Sequence, residues 1–225
     1  MDLATIAFPL RLSLQVAAVS TVLVALLGVP LAYVLATKTF PGKAIADVAV
    51  LLPMVLPPIV TGYYLLLLVG RNGVLGHVTK ALTGTAAGLV FTWQAAVLAS
   101  FVISMPLGVV TARAAIAAVD PAHGDASRTL GHGEVGTAVH VVLPLAARGI
   151  IAGLALAFAR ALGEFGATIM VAGNIPGHTN TMALEVYNAV LYGDWKTATL
   201  LVVIFTAVSA AVLLGASKLG SAVVR

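Results

Sequence analysis

Long apolar stretches alternate with short segments that hold most of the chain's charged residues. Windows long enough to cross a bilayer run from Leu12 to Ala36, Ala44 to Gly70, Ala86 to Val110, Ile150 to Val171 and Ala198 to Leu219. A hydrocarbon core about 30 Å thick needs roughly 20 apolar residues per helical pass, so the pattern predicts about five passes. Each is expected to be helical, because lipid offers backbone amides and carbonyls no other partners. The residues before Pro9 read as an interfacial lead-in to the first pass.

Two of these windows carry features that a plain lipid-facing helix does not need. The second contains Pro53, Pro57 and Pro58 in the run LLPMVLPPIVTGYY. Each proline removes an amide donor and clashes with the preceding turn, which predicts a bend or local unwinding. In a membrane such a break persists only against protein or a water-filled cavity, making Pro57, Pro58 and the following Thr61 candidates for a translocation path, with a packed structural kink as the alternative. The fourth window reads GIIAGLALAFARALGEFGATIMVAG, in which Gly149 and Gly153 are spaced for close helix contact. Arg160 and Glu164 lie four apart on one face of it, and each costs roughly 2.5 to 3.5 kcal/mol at mid-bilayer if unpaired. They are expected to pair or to face water, either lining the path with Gly166 or tying the bundle together.

Composition narrows the class. The 225 residues are 60% hydrophobic and 9% charged, with a mean hydropathy of +1.08, against about 25% charged in soluble domains. This predicts one transmembrane domain over residues 1–225, with no room for a sizeable soluble one. The formal charge of +4 comes from scattered single cations, not a basic stripe, which argues against nucleic acid as a partner. There are no cysteines, hence no thiolate metal site, disulfide or cysteine nucleophile. Asp2 precedes the first cation, Arg11, and the first apolar run is too long for a signal-peptide core, so it is expected to stay as a membrane helix.

Lys38, Lys43, Arg113, Arg128, Arg148, Lys218 and Arg225 fall on one side of this layout, and Arg11, Arg71, Lys80 and Lys196 on the other. By the positive-inside rule the richer side is cytoplasmic, with the N-terminus outside and the C-terminus inside. Trp93 and Trp195 then lie near the outer interface, where indole rings prefer to sit.

The segment between the third and fourth passes, DPAHGDASRTLGHGEVGTAVHVVLP, is too long for a turn and falls on the cytoplasmic side. Asp120 and Pro121 make a helix start and Gly131 a stop. A second short helix is expected from Glu134 to Leu143, before Pro144. Two short helices joined at glycines form a protrusion suited to docking into a partner, which sets residues 120–145 apart as a docking loop.

These residues resemble the cytoplasmic loop of ABC importer permeases, written Glu-Ala-Ala, three residues, Gly, nine residues, Ile-x-Leu-Pro. Asp125, Ala126 and Ser127 occupy the triplet, Gly131 the glycine, and Val141, Leu143 and Pro144 the close. Asp for Glu and Ser for Ala keep charge and size. LPMVLPPIVTGYYLLLLVGRNGVLG and ARALGEFGATIMVAGNIPGHTNTMALEVYNAV extend the likeness to molybdate permeases, close relatives of sulfate permeases. The run Gly163 to Gly166 recurs in both groups, while AGNIPGHTNTM is more similar to the molybdate group.

The resemblance implies an all-α integral membrane protein with the type I ABC importer permease fold, in a bacterial inner membrane. Two copies of the chain would form the path, and two copies of a cytoplasmic ATPase would dock on the loops. An external binding protein would deliver the oxyanion, molybdate and with it tungstate; sulfate, thiosulfate or another oxyanion is the alternative. Physics supports the need for an engine: bringing a dianion into a cell negative inside costs about 2.3 kcal/mol per charge per 100 mV. The chain itself has no Gly-x-x-x-x-Gly-Lys-Ser/Thr loop, since Gly42 and Lys43 are followed by Ala44. No catalytic residue, cofactor or metal is therefore expected. His123, His132 and His140 match no metal-ligand spacing and read as solvated or partner-facing. His178 and Glu185, in the outer loop, are candidates for touching the binding protein. A secondary carrier would show internal repeats and ion-binding acids, and a membrane-embedded enzyme a nucleophile with its base; neither pattern is present.

Overall fold

The computed structural model describes residues 3–84 and 88–222, with side chains for 6–84 and 88–215, and among the described residues the secondary structure is entirely helical. Ala86, the expected start of the third pass, and the cation Arg225 lie outside these residues, as does the side chain of Lys218. The first pass comprises α1 (Leu3–Leu23), a π-helical turn (Val24–Gly28) and α2 (Val29–Thr37). From Ile6 to Thr37 this makes 32 residues, about 48 Å of helix at 1.5 Å per residue, which exceeds the hydrocarbon core and leaves its ends beyond it. Pro9 sits inside α1, fully buried, so the expected lead-in is instead part of the pass. One proline forfeits a single amide donor, a loss that the packing of its neighbours Phe8 and Leu12 into the main apolar cluster offsets.

The second window is two helices, α3 (Lys43–Val55) and α4 (Pro58–Val69), separated at Leu56 and Pro57. Both of those residues precede a proline and both are extended, with ψ of 144° and 135°. A proline drives the residue before it out of the α region, and two in succession end the helix where Pro53 alone does not. Beyond the Gly70–Gly73 turn, α5 (Val74–Thr83) continues from α4, and Pro58–Thr83 together is long and apolar enough to cross.

The hub is α6 (Trp93–Ala117), started by Thr92, whose hydroxyl accepts from the Ala95 amide at 3.2 Å. Its buried positions are mostly small, among them Ala95, Ala96, Ala99, Ser100, Ser104, Gly108 and Ala112, so that α1, α2, α10 (Ala147–Leu162) and α11 (Gly166–Ala172) all pack directly on it. The Gly149 and Gly153 spacing is used here. A Cβ at Gly149 would fall 2.2 Å from the Ala115 Cβ, and one at Gly153 3.1 Å from the Gly108 oxygen. The expected fourth pass is thus also two helices, interrupted at Gly163–Phe165. The chain closes with α12 (Met182–Leu191) and α13 (Trp195–Ala222). Asp194 caps α13, accepting from the Thr197 amide at 3.1 Å and from its hydroxyl; these bonds hold the carboxyl below its usual range.

Between α6 and α10 lie α7 (Pro121–Thr129), α8 (Glu134–Thr137), a π-helical turn (Ala138–Val142) and α9 (Leu143–Leu145). Four described helices qualify as single spans; counting Glu134–Leu145 with Ala147–Leu162, which meet at 78°, makes five.

Candidate coupling loop and translocation path

The loop builds itself from local chemistry. The Asp120 carboxylate accepts from the Ala122 amide at 2.9 Å and Pro121 presets the first dihedral of α7. Gly131, at φ +90°, reverses the chain after α7, in a conformation that costs other residues roughly 1–2 kcal/mol. Ser127 is buried beneath α7, where its hydroxyl receives that of Thr137 at 3.1 Å and lies 3.1 Å from His132 Nδ1. Ser127 and Thr137 therefore clamp α7 to α8, while Asp125, Ala126 and Leu130 remain outside. Leu130 is 82% exposed and Val135 78%, an apolar pair at the tip of a polar loop.

A chain of charges stiffens the same face. Arg128 bonds the Asp125 carboxylate at 2.8 Å and Glu134 at 3.1 Å, and Glu134 also binds Lys38 from the α2–α3 connection. The Lys38 hydrogen bond is the chief reason that the Glu134 carboxyl lies below its usual range, with Arg128 adding to it. Lys43 donates to the Lys38 carbonyl at 2.9 Å, and Arg113 pairs with Asp47. Lys38, Lys43 and Arg128, three of the cations that the sequence assigned to one side of the membrane, are thus physically together.

Pro144 does not end the second short helix, as its sequence position suggested. It lies inside the continuous helix Glu134–Leu145, just after the π-helical turn in which the Leu143 amide bonds the Ala138 oxygen, and the Ala146 amide still bonds the Val142 oxygen beyond it before the bend at Ala146. Val142 is buried and Leu143 half-buried in the cluster of α2, α3, α6 and α10, so the close of the motif anchors the loop to the bundle. His132 and His140 stack with ring centroids 5.9 Å apart, and the His140 Nδ1 lies 3.0 Å from the Gly136 oxygen. Among the described residues no three His, Asp or Glu side chains are grouped to hold a metal ion.

The two broken passes meet each other. A Cβ at Gly62 would lie 2.8 Å from the Ala167 Cα, and one at Gly166 3.0 Å from the Pro58 Cβ, so α4 and α11 cross backbone to backbone. Thr61 and Thr168 are buried on these helices with hydroxyls that have no partner. Arg160 and Glu164 pair at 2.9 Å as their spacing predicts. Glu164 is 2% exposed, and its other oxygen accepts from the Ala167 amide at 2.7 Å, so it also fastens the start of α11. The structure brings Pro58, Thr61 and Gly166 into one crossing, with Glu164 tied to the next residue along. Pro57 is exposed at the break, and Arg160 lies a turn away on α10. Thr168 escaped the sequence reading because a lone threonine in an apolar helix gives no signal until its hydroxyl is seen unbonded.

At the far end of α6 from this loop, the α11–α12 connection is a hydrogen-bonded knot. Glu185 accepts from Asn180 at 3.1 Å and from Asn188 at 3.4 Å, while His178 is exposed. Glu185 thus lies on α12 and not in the outer loop, and its carboxylate is committed to these two amides. Trp93 and Trp195 begin α6 and α13 at this end, as interfacial indoles would.

Broken apolar helices around a small-residue hub, with one projecting helical loop, define a multi-pass membrane protein of transporter type. Residues 10–219 match the family of binding-protein-dependent transport system inner membrane components, and the chain belongs to that family. It is 44% identical over 179 residues to the molybdenum transport system permease protein ModB of Escherichia coli strain K12, covering 80% of this chain and 77% of that one. The putative molybdenum transport system permease protein YvgM of Bacillus subtilis is 37% identical over 200 residues, 87% of each chain. Among solved structures, a bacterial ABC transporter involved in alginate import superposes with a TM-score of 0.80 at 13% identity, over 97% of this chain and 80% of that one. The inward-facing MetNI methionine ABC transporter does so with a TM-score of 0.74 at 17% identity over the full length of both. The fold is that of a type I ABC importer permease.

Proposed function

We propose that this chain is the membrane-spanning permease subunit of an ATP-driven importer that carries molybdate, and with it tungstate, into the cytoplasm. The observation that carries the substrate is the 44% identity to a molybdenum transport permease across four-fifths of the chain. Two copies of the chain form the path, an extracytoplasmic oxyanion-binding protein delivers the anion, and two copies of a cytoplasmic ATPase dock on residues 120–145 of each copy. Hydrolysis belongs to the ATPase, since this sequence has no phosphate-binding loop. The charge asymmetry supports a cytoplasmic loop and C-terminus and an outer N-terminus.

The geometry supports a mechanical reading of the docking motif. Asp125, Ala126 and the apolar pair Leu130 and Val135 form the surface offered to the ATPase, with Gly131 setting its angle. Val141, Leu143 and Pro144 carry displacement to the bundle, because α9 continues through the 78° bend into α10. From α10, the Arg160–Glu164 pair passes it to α11, and Gly166 passes it to Pro57, Pro58 and Thr61 on the broken pass. Movement of the docked loops thereby shifts the α4–α11 crossing between states open to opposite sides.

Uptake of labelled molybdate by cells with and without the chain, in excess sulfate or excess tungstate, tests this reading. Deletion is expected to abolish uptake, with tungstate competing and sulfate not. Strong competition by sulfate would transfer the chain to another oxyanion, and uptake unchanged by deletion would overturn the substrate assignment.

A further inference from the structure

Opposite the coupling loop, a recess of about 300 Å³ opens between the start of α1, the start of α6 and the α11–α12 connection. Its polar lining comes from Arg11, Gln15, Trp93 and His178, three separate chain segments, with Phe8 and Leu12 as its apolar wall. Every one of these polar side chains has a hydrogen-bond donor, and among the described residues no carboxylate lines the recess. Arg11 has no ion-pair partner among the described residues, and its guanidinium always carries charge. Gln15 lies one helical turn further along α1 on the same face and is also exposed. Neither side chain is stable against hydrocarbon, so this face requires water or a polar ligand.

We propose that this recess is a binding site on the permease for a tetrahedral oxyanion, the first contact of the substrate after it leaves the binding protein. The assignment rests on the importer reading above for its substrate and on the recess alone for its chemistry. A dianion meets one fixed positive charge, a fork of guanidinium donors, an amide and an indole N–H, with no acid among the described lining residues to repel it. The site is shallow and only singly charged by arginine, which suits an anion that must be released onward. Phosphate on a lipid headgroup has the same chemistry, and the site's position near the membrane surface makes that the source to separate.

Equilibrium dialysis of the purified permease–ATPase complex, without binding protein and in phosphatidylcholine nanodiscs, against labelled molybdate reads the site directly. Saturable retention is expected, weakened about tenfold or more by Arg11→Gln and largely kept by Arg11→Lys. Co-elution of both subunits establishes that each variant is folded. Nanodiscs containing phosphatidylglycerol are expected to retain molybdate equally; loss of retention there would assign the recess to a lipid phosphate and overturn the proposal. Absence of saturable retention, or equal retention by Arg11→Gln, would also overturn it. Labelled sulfate in a parallel cell separates the two readings: Arg11-dependent retention of sulfate, with no cellular molybdate uptake, leaves the oxyanion site standing and removes only the substrate assignment.

Discussion

Glu164 shows how one residue serves two neighbours. Its side chain is 1% exposed, with one oxygen on Arg160 and the other on the Ala167 amide. Breaking a buried pair by removing one partner typically costs about 3–5 kcal/mol, but Arg160 is 32% exposed, so water recovers part of that. Glu164→Ala is therefore expected to lose about 2–3 kcal/mol, while Glu164→Gln, which keeps an oxygen for Ala167, loses about 1 kcal/mol. Thermal unfolding in detergent compares them, and equal shifts would show that the cap is idle. Glu134 responds to pH instead. Its carboxyl is held below the usual range, first by Lys38, so its contribution is full above the ordinary glutamate value and is lost as pH falls through the lowered one. The difference in melting temperature between the wild type and Glu134→Gln should stay constant from pH 8 to 6 and close only in strong acid. A gap that closes near neutrality would exclude the ion pair as its source.

At the scale of elements, Gly131 sets the turn from α7 into α8. Its left-handed conformation is strained for any residue with a Cβ, although open space surrounds it. Gly131→Val is thus expected to cost only about 1–2 kcal/mol while re-aiming the proposed docking surface. ATPase co-purification and ATP-dependent uptake should fall severalfold, with membrane insertion intact; undiminished association and uptake would remove the loop from coupling. The loop was legible in the sequence because Asp120, Pro121 and Gly131 encode their conformations locally. The pairing of Arg160 with Glu164 and the Gly149–Gly153 contact were legible for the same reason, as fixed helical spacings. What stayed hidden depends on partners far along the chain. Lys38 reaches Glu134 across 96 positions, and Gly62 meets Ala167 only because both passes break. Pro144 continues its helix instead of ending it because the π-helical turn at Ala138–Val142 changes the hydrogen-bond register just before it, a feature that no residue type announces.

For the whole molecule the governing quantity is orientation, since the proposed docking of residues 120–145 on an ATPase requires that loop to be cytoplasmic. Lys38, Lys43, Arg113 and Arg128 gather at one end, where they bind Glu134, Asp125, Asp47 and a backbone carbonyl. Those acids offset part of the local charge, but Asp and Glu weigh little in topology, so the Lys and Arg bias supports the proposed cytoplasmic placement of this end. The opposite end presents Arg11, His178 and the exposed Trp195. Because these 225 residues include no cysteine, single substitutions in them can be labelled without background from the same residues. His178→Cys is expected to react with a membrane-impermeant maleimide in intact spheroplasts, and Leu130→Cys only after permeabilisation. The reverse pattern would invert the molecule, moving the recess at Arg11 to the cytoplasm and denying the ATPase its loop. Protection of Leu130→Cys by the ATPase after permeabilisation would join the topology to the engine, because the residue is otherwise four-fifths exposed.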